Sequence, residues 1–97
     1  MKEIEEITSH TSDFLRFIKT KFTLIHQSNV FFRDLHYGVI AYLESKGKKV
    51  RYLIGEQIAK EVASDLEKKG IFKKIDHQSW LLNYPEFALP RTEKQAS

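Results

Sequence analysis

The chain has no cysteine among its 97 residues, only two prolines and four glycines, and no long apolar run. Without cysteine, a disulfide framework, a thiolate metal site and a cysteine nucleophile are all excluded. No stretch approaches the roughly 18 apolar residues that span a bilayer. The N-terminal MKEIEEITSH alternates acids with isoleucines and does not resemble a signal peptide. These absences favour a location in the reducing cytoplasm and argue against a membrane partner.

Motifs that carry known chemistry are also missing. The sequence contains no HExxH, no GxSxG, no Walker-type loop and no GxGxxG. Its four histidines have no partner at the i, i+4 spacing of a helical metal site; they are His10, His26, His36 and His77. We therefore expect no catalytic residue, no metal site and no cofactor, and we interpret the chain as a non-enzyme.

What is present is enough apolar side chain for one folded unit. A chain of this length buries somewhat over 60% of its unfolded surface, roughly, which suffices for one core. We predict a single domain over residues 13–89. Residues 1–12 are expected to form a partly ordered N-terminal extension, and residues 90–97 a flexible tail.

Two helices are predicted in the first half. Asp13–Gln27 places Phe14, Ile18, Phe22 and Ile25 on one face. A break before this helix is favoured, since short hydroxyl side chains between Thr8 and Ser12 compete for backbone hydrogen bonds. The alternative is one long helix that runs back through Ile7 and Ile4.

The second predicted helix, Val30–Lys46, has the widest apolar face in the chain. Its members are Phe31, Phe32, Leu35, Val39, Tyr42 and Leu43. An arc this wide predicts a central helix that packs against elements before and after it. Gly38 is expected to allow close packing, and Gly47 to end the helix.

The segment that follows, Val50–Ile54, alternates and is rich in β-forming residues, which predicts a short strand broken by Gly55. A loop or a partial helical turn is the alternative for these five residues. Glu56–Lys69 then carries the apolar stripe Ile58, Val62 and Leu66. Gly70 is expected to end this helix in a Schellman motif, with Ile71 against Leu66.

Beyond Gly70 the apolar period falls to two, which predicts a β-hairpin over Ile71–Tyr84. Its connection is the polar Asp76–Ser79. Pro85 lacks a backbone donor and should end the second strand.

Together these elements predict an α+β fold with three main helices, a short strand and a C-terminal hairpin. This layout resembles that of winged-helix domains, with Val50–Ile54 as the first strand, Glu56–Lys69 as the last helix and Ile71–Tyr84 as the wing. The resemblance covers roughly residues 30–84 and rests on pattern, without a diagnostic motif. It has one departure, because a winged helix needs two helices between the first strand and the wing.

Positive charge is concentrated in residues 46–74, which hold nine Lys or Arg against four Asp or Glu. The resemblance implies nucleic-acid binding, and this segment supplies the candidate phosphate contacts. They are Lys48, Lys49, Arg51, Lys68, Lys69, Lys73 and Lys74. Four acids on the last helix oppose this hypothesis, namely Glu56, Glu61, Asp65 and Glu67. A simpler interpretation is that the lysines keep a small protein soluble.

The aromatic content suggests a different function. If Trp80, Tyr84 and Phe87 lie on the exposed side of the hairpin, they form an anchor patch of the kind enriched at interfaces. The alternative is that these rings close the core from the sheet side. Our leading hypothesis is a protein–protein interaction module that binds a protein partner or a second copy of itself, with nucleic-acid binding as the alternative.

Overall fold

The computed structural model describes residues 2–89, so the tail predicted for residues 90–97 lies outside the described range. Within these residues the fold is α+β, as predicted, with four α-helices instead of three and one antiparallel sheet of three strands. The elements are α1 (Lys2–Thr8), α2 (Thr11–Lys19), β1 (Asn29–Phe31), α3 (Phe32–Ser45), α4 (Tyr52–Lys68), β2 (Phe72–Asp76) and β3 (Ser79–Leu82), followed by a short 3₁₀ helix (Pro85–Phe87).

The sheet has the order β1-β3-β2, so the first strand pairs with the last. The predicted hairpin is confirmed. Its turn is fixed by the Asp76 carboxylate, whose Oδ1 accepts hydrogen bonds from the Gln78 backbone N–H and the Ser79 hydroxyl, both at 2.9 Å. These bonds favour the ionised carboxylate and lower the pKa of Asp76.

The central helix begins two residues later than predicted, because Val30 and Phe31 belong to β1. They pair with Trp80 and Ser79 of β3. Helix α3 ends at Ser45, one residue before the predicted Lys46, and Gly47 supplies the expected stop. Gly47 adopts a φ of +85°, and the next residue donates its N–H to the Leu43 carbonyl at 2.9 Å.

The strand predicted for Val50–Ile54 is wrong, because Tyr52–Ile54 form the first turn of α4. The alternative of a helical turn is correct for these residues. Gly55 is not a break either. It lies inside α4, and a Cβ there would stand 2.5 Å from Cγ1 of Ile40, so its lack of a side chain lets α4 approach α3.

The C-terminal end of α4 forms the predicted Schellman motif. Gly70 has a φ of +77°, and Ile71 donates its N–H to the Leu66 carbonyl at 3.0 Å. Helix α4 ends at Lys68, one residue before the predicted end.

The predicted break before the first helix is confirmed, since Ser9 and His10 separate α1 from α2. The helix predicted for Asp13–Gln27 is wrong in its second half, because α2 ends at Lys19. The chain must turn there to bring β1 alongside β3. Gln27, with a φ of +69°, donates its N–H to the carbonyl of Leu82, the last residue of the central strand β3.

Helix α3 lies at the centre of the core, as predicted. Its Leu35, Val39 and Leu43 are fully buried between α2 on one side and α4 with the sheet on the other. The partners buried around α3 include Phe14, Leu15 and Ile18 of α2, Ile58, Val62 and Leu66 of α4, and Trp80 and Leu82 of β3. Helix α2 packs closely against α3, since a Cβ on Gly38 of α3 would lie 2.7 Å from Cγ2 of Ile18 in α2.

With β1 placed before α3, two helices lie between the first strand and the hairpin. The departure noted from the sequence therefore arose from placing the strand at Val50–Ile54. The order of elements that positions the surface described next is two helices, a strand, two helices and a hairpin.

Candidate interaction surface

The anchor patch predicted on the hairpin is not on the surface. Trp80 is 4% exposed and Phe87 is 5% exposed, while Tyr84 is half-buried. The reason is strand alternation, which puts Trp80 and Leu82 on the sheet face that covers the helices. The Trp80 ring stacks on Phe72 with centroids 5.2 Å apart. The rings therefore close the core, which was the alternative interpretation.

Four of the seven exposed large apolar side chains in residues 2–89 lie at or beside the start of α4, whereas Phe31, Ile75 and Leu89 lie elsewhere. Tyr52, Leu53 and Ile54 are 58%, 70% and 38% exposed, and Tyr37 on α3 is 44% exposed. The Tyr37 and Tyr52 rings lie side by side, with centroids 6.4 Å apart. We call these four residues the Tyr52 patch.

The geometry of the first helical turn explains why this patch faces solvent. Consecutive residues in a helix point about 100° apart, so four of them cover all sides of one turn. Gly55 takes the side that faces α3, where a Cβ would collide with Ile40. Tyr52, Leu53 and Ile54 therefore occupy the other three sides, with Leu53 between its neighbours and farthest from the core.

A buried histidine holds this turn in place. His36 is 3% exposed, and its Nε2 lies 2.9 Å from the Tyr52 carbonyl oxygen. A carbonyl oxygen only accepts, so Nε2 carries the hydrogen. The imidazole also packs on the Tyr52 ring with centroids 4.4 Å apart. The first turn of α4 is thus anchored to α3 through His36.

Charges of both signs border the patch. The pKa of Tyr52 is raised, and the main cause is the neighbouring Tyr37 hydroxyl. Glu56 also raises this pKa, whereas Arg33 lowers it. Arg51 is the N-cap residue of α4 and makes no capping hydrogen bond. Among residues 2–89, neither Arg33, Arg51 nor Glu56 takes part in an ion pair.

The basic residues predicted to bind nucleic acid do not form one surface. The Lys69 ammonium lies 2.7 Å from the Thr8 carbonyl, from the Thr11 hydroxyl and from the Asp65 carboxylate. Lys48 pairs with Glu6 at 3.7 Å. These two lysines tie α1 and the start of α2 to the rest of the fold.

The remaining five basic residues predicted to bind nucleic acid are exposed but lie on separate parts of the surface. Lys49 and Arg51 lie in the loop before α4, and Lys68 lies at the far end of that helix. Lys73 and Lys74 are neighbours on β2, so their side chains leave opposite faces of the sheet. Only Lys74 lies on the face shared with Trp80 and α4.

The acids of α4 oppose nucleic-acid binding less than the sequence indicates. Glu67 accepts a hydrogen bond from the Trp80 indole N–H at 2.6 Å, and Asp65 pairs with Lys69. Both carboxylates are partly covered, as is Glu56. Glu61 is the fully exposed acid of the helix. The exposed stripe of α4 consists of Leu53, Gln57, Lys60, Glu61, Ser64 and Lys68.

An open groove separates this helix from the hairpin. Phe32 and Trp80 contribute apolar surface to it. Its polar lining residues are Glu56, Lys60, Ser64, Glu67, Lys74, His77 and Gln78. The structure thus places Lys74 on the same groove as Lys60, a lysine that the sequence analysis did not select.

No group of three His, Asp or Glu side chains within residues 2–89 is arranged to hold a metal ion. The histidines are engaged separately. His26 Nδ1 accepts the Tyr84 backbone N–H at 2.9 Å, and His36 binds the Tyr52 carbonyl. None of the helices between residues 2 and 89 combines the length and apolarity needed to cross a bilayer.

Sequence reasoning missed the Tyr52 patch because it placed these residues in a strand. A usable signal was present. If Val50–Ile54 continues the helix of Ile58, Val62 and Leu66, three consecutive apolar residues cannot all face the core. Two of them must then be exposed, and an exposed pair of large apolar side chains indicates a binding surface.

Comparison with known proteins identifies no relative of this chain. No family model matches the chain, and no curated protein or solved structure shows a significant match to it.

Proposed function

We propose that this protein is a non-enzymatic protein–protein interaction module and that its binding surface is the Tyr52 patch. The observation that carries the proposal is the 70% exposure of Leu53 between two other exposed apolar side chains on the first turn of α4. A large apolar side chain left in water forgoes about 1.5–3 kcal/mol of burial free energy. We further propose that the module works in the cytoplasm, since its lack of cysteine suits a reducing compartment.

The composition of the surface supports a protein partner. Aromatic residues and arginine are enriched in interface cores, whereas lysine and glutamate are depleted there. The patch combines Tyr37 and Tyr52 with Arg33 and Arg51, which form no ion pair with any residue between 2 and 89. Tyrosine adds large contact area with few rotatable bonds, so its ordering on binding costs little entropy.

A photo-cross-linking amino acid at position 53 tests the proposal in the cells that produce the protein. We expect irradiation to yield discrete protein adducts at position 53. Leu89 is the matched control because it is also an exposed leucine, at 66%, but lies beyond the 3₁₀ helix. The same adduct pattern from positions 53 and 89, or none from position 53, would reject the patch as a binding surface.

The second candidate function is nucleic-acid binding by a winged-helix-like domain. Two observations favour it. The order β1-α3-α4-hairpin contains the pair of helices that the winged-helix layout requires. Three of the four acids that opposed the idea are partly covered, and two of those are engaged with Trp80 and Lys69.

In this candidate the groove between α4 and the hairpin tracks the phosphate backbone, with Lys60 and Lys74 as its contacts. Fluorescence anisotropy with a random duplex at low and moderate salt tests it. Each neutralised phosphate contributes close to one unit to the salt slope. We expect Lys60→Glu and Lys74→Glu to weaken binding and reduce that slope.

Lys73→Glu is the matched control for this test, since it makes the same charge change on the opposite face of β2. Absence of duplex binding by the unmodified protein at low salt would end this candidate. Equal losses from the changes at positions 73 and 74 would show that net charge alone drives binding.

A further inference from the structure

We infer that Tyr37 and Tyr52 form an oxidative modification site, at which a haem peroxidase with hydrogen peroxide joins the two phenol rings into a dityrosine cross-link. The inference does not depend on the proposed function, because it needs only the placement of these two rings. The product ties α3 to the first residue of α4 by a carbon–carbon bond.

The two rings are neighbours although they belong to different helices. Their centroids lie 6.4 Å apart, with an angle of 60° between the ring planes. Their hydroxyl groups are also close, since the Tyr37 hydroxyl is the main cause that raises the pKa of Tyr52. The hydrogen bond from His36 to the Tyr52 carbonyl fixes the backbone at one ring beside the residue that precedes the other. The fold itself therefore maintains the pair.

Tyr37 and Tyr52 are also the most exposed tyrosine and tryptophan side chains in residues 2–89. Tyr42 and Trp80 are buried, and Tyr84 is half-buried. The chain has no cysteine, whose thiol would otherwise reduce a tyrosyl radical. An oxidant in solution therefore meets these two phenols before the other oxidisable rings of the described residues.

The coupling of two phenols has a defined balance of atoms and electrons. The peroxidase removes one electron and one proton from each hydroxyl group, and hydrogen peroxide takes them up and becomes two molecules of water. Each phenoxyl radical shares its unpaired electron between the oxygen and the ring carbons beside the C–O bond. A bond forms between one such carbon of each ring, and the hydrogen on each of these carbons moves to the oxygen as a proton. The chain loses two hydrogen atoms in total.

Proximity favours a link within one chain over a link between two chains. Groups that a fold holds next to each other react as if they were far more concentrated than a micromolar solution of the chain. The centroids must come closer than 6.4 Å for the bond to form. Exposed side chains change rotamer within nanoseconds, so rotation of the two rings supplies this approach.

Treatment of the purified full chain at micromolar concentration with a haem peroxidase and hydrogen peroxide tests the inference. We expect a monomer that is lighter by two hydrogen atoms and has the fluorescence of dityrosine. Trypsin should release peptide 34–46 joined to peptide 52–60, and fragmentation should place the link on Tyr37 and not on Tyr42 of the first peptide. A parallel reaction with free tyrosine verifies that the peroxidase is active.

Tyr37→Phe and Tyr52→Phe are the test variants, because each keeps the ring and removes the hydroxyl group from which the radical forms. Each should lower the yield of cross-linked monomer about tenfold or more, since the neighbouring phenol is lost. Tyr84→Phe is the matched control and should leave the yield within about twofold, because that ring does not adjoin the pair.

Three results would overturn the inference. One is a product linked only between chains, and another is an intrachain link through Tyr42 or Tyr84 in place of the expected pair. The third is an unlinked chain under conditions in which free tyrosine couples. Cross-linked monomer that persists at the wild-type yield in either test variant excludes this pair as well.

Discussion

At the scale of single residues, glycine shows how one residue type signals different structures. Gly47 and Gly70 have positive φ and end helices, as the sequence predicts. Gly38 and Gly55 lie inside helices, where they let a neighbouring helix approach closely. The residues next to Gly55 in the sequence do not distinguish it from a glycine that breaks a helix. Glycine is needed at this position because a larger residue would collide with Ile40 of α3. The sequence analysis therefore misread it.

Gly55→Ala should destabilise the protein by about 1 kcal/mol. The new Cβ would lie 2.5 Å and 2.8 Å from Cγ1 and Cδ1 of Ile40, so α4 or Ile40 must move. Overpacking of this kind costs about 1–3 kcal/mol, against a gain of up to about 1 kcal/mol in helix propensity. Urea unfolding followed by circular dichroism measures the difference.

The Ile40→Ala background separates overpacking from other effects of Gly55→Ala. Once the Ile40 side chain is removed, the same change should become neutral or stabilising, because only the propensity gain remains. Ser64→Ala on the exposed stripe of α4 controls for propensity without packing. An unchanged cost in the Ile40→Ala background would show that a different contact is responsible.

At the scale of elements, local signals decided which boundaries could be predicted. The C-terminal end of α4 follows from Gly70, Ile71 and Leu66, which are close in sequence. Strand β1 could not be predicted from its own residues, because Asn29–Phe31 is extended only through pairing with β3, half the chain away. The start of α4 was missed since Arg51 is not a usual capping residue.

Arg51 is a locally unfavourable choice for the N-cap position. It has the extended backbone of an N-cap, with φ −71° and ψ 158°, but supplies no side-chain acceptor for the first N–H groups of α4. Its cation also lies at the positive end of the helix dipole. Such exceptions to local rules are expected at functional positions. The residue thus supports the placement of the binding surface at this helix end.

Arg51→Asp should stabilise the folded monomer by about 1 kcal/mol, because aspartate can accept a hydrogen bond from an N–H of the first turn and suits the helix dipole. Urea unfolding of the two proteins measures the difference. The same change should weaken binding at the Tyr52 patch, measured as the yield of position-53 cross-links, because it replaces an arginine, a residue type enriched at interfaces, with an acid that is depleted there. Stability and binding are thus predicted to move in opposite directions.

Arg51→Ala separates the two roles of this position. Alanine neither caps the helix nor carries a charge, so the free energy of unfolding should stay within about 0.5 kcal/mol while the yield of position-53 cross-links falls. If Arg51→Ala destabilises the monomer by more than 1 kcal/mol, the arginine has a structural role and its unfavourable position is no sign of function.

At the scale of the whole molecule, the sequence predicted the fold class and the central position of α3, because periodicity identifies buried faces. It did not predict the surface, because exposure depends on how elements meet. Trp80 and Phe87 were candidates for the surface and are buried, whereas Tyr52 and Leu53 were assigned to a strand and are exposed. The candidate site therefore had to come from the structure.

The N-terminal segment, predicted as an extension over residues 1–12, contains α1, and Ile7 of this helix is 1% exposed. Lys69 and Lys48 tie the same segment to α4 and to the loop before it. If α1 belongs to the cooperative domain, Ile7→Ala should lower the free energy of unfolding by about 2–4 kcal/mol through loss of buried apolar contact and an added cavity. Glu5→Ala, on the exposed side of α1, should change it by less than about 0.5 kcal/mol. Urea unfolding of the two variants under one set of conditions gives the comparison. Similar small effects from both would mean that α1 unfolds separately and that the cooperative domain begins after it.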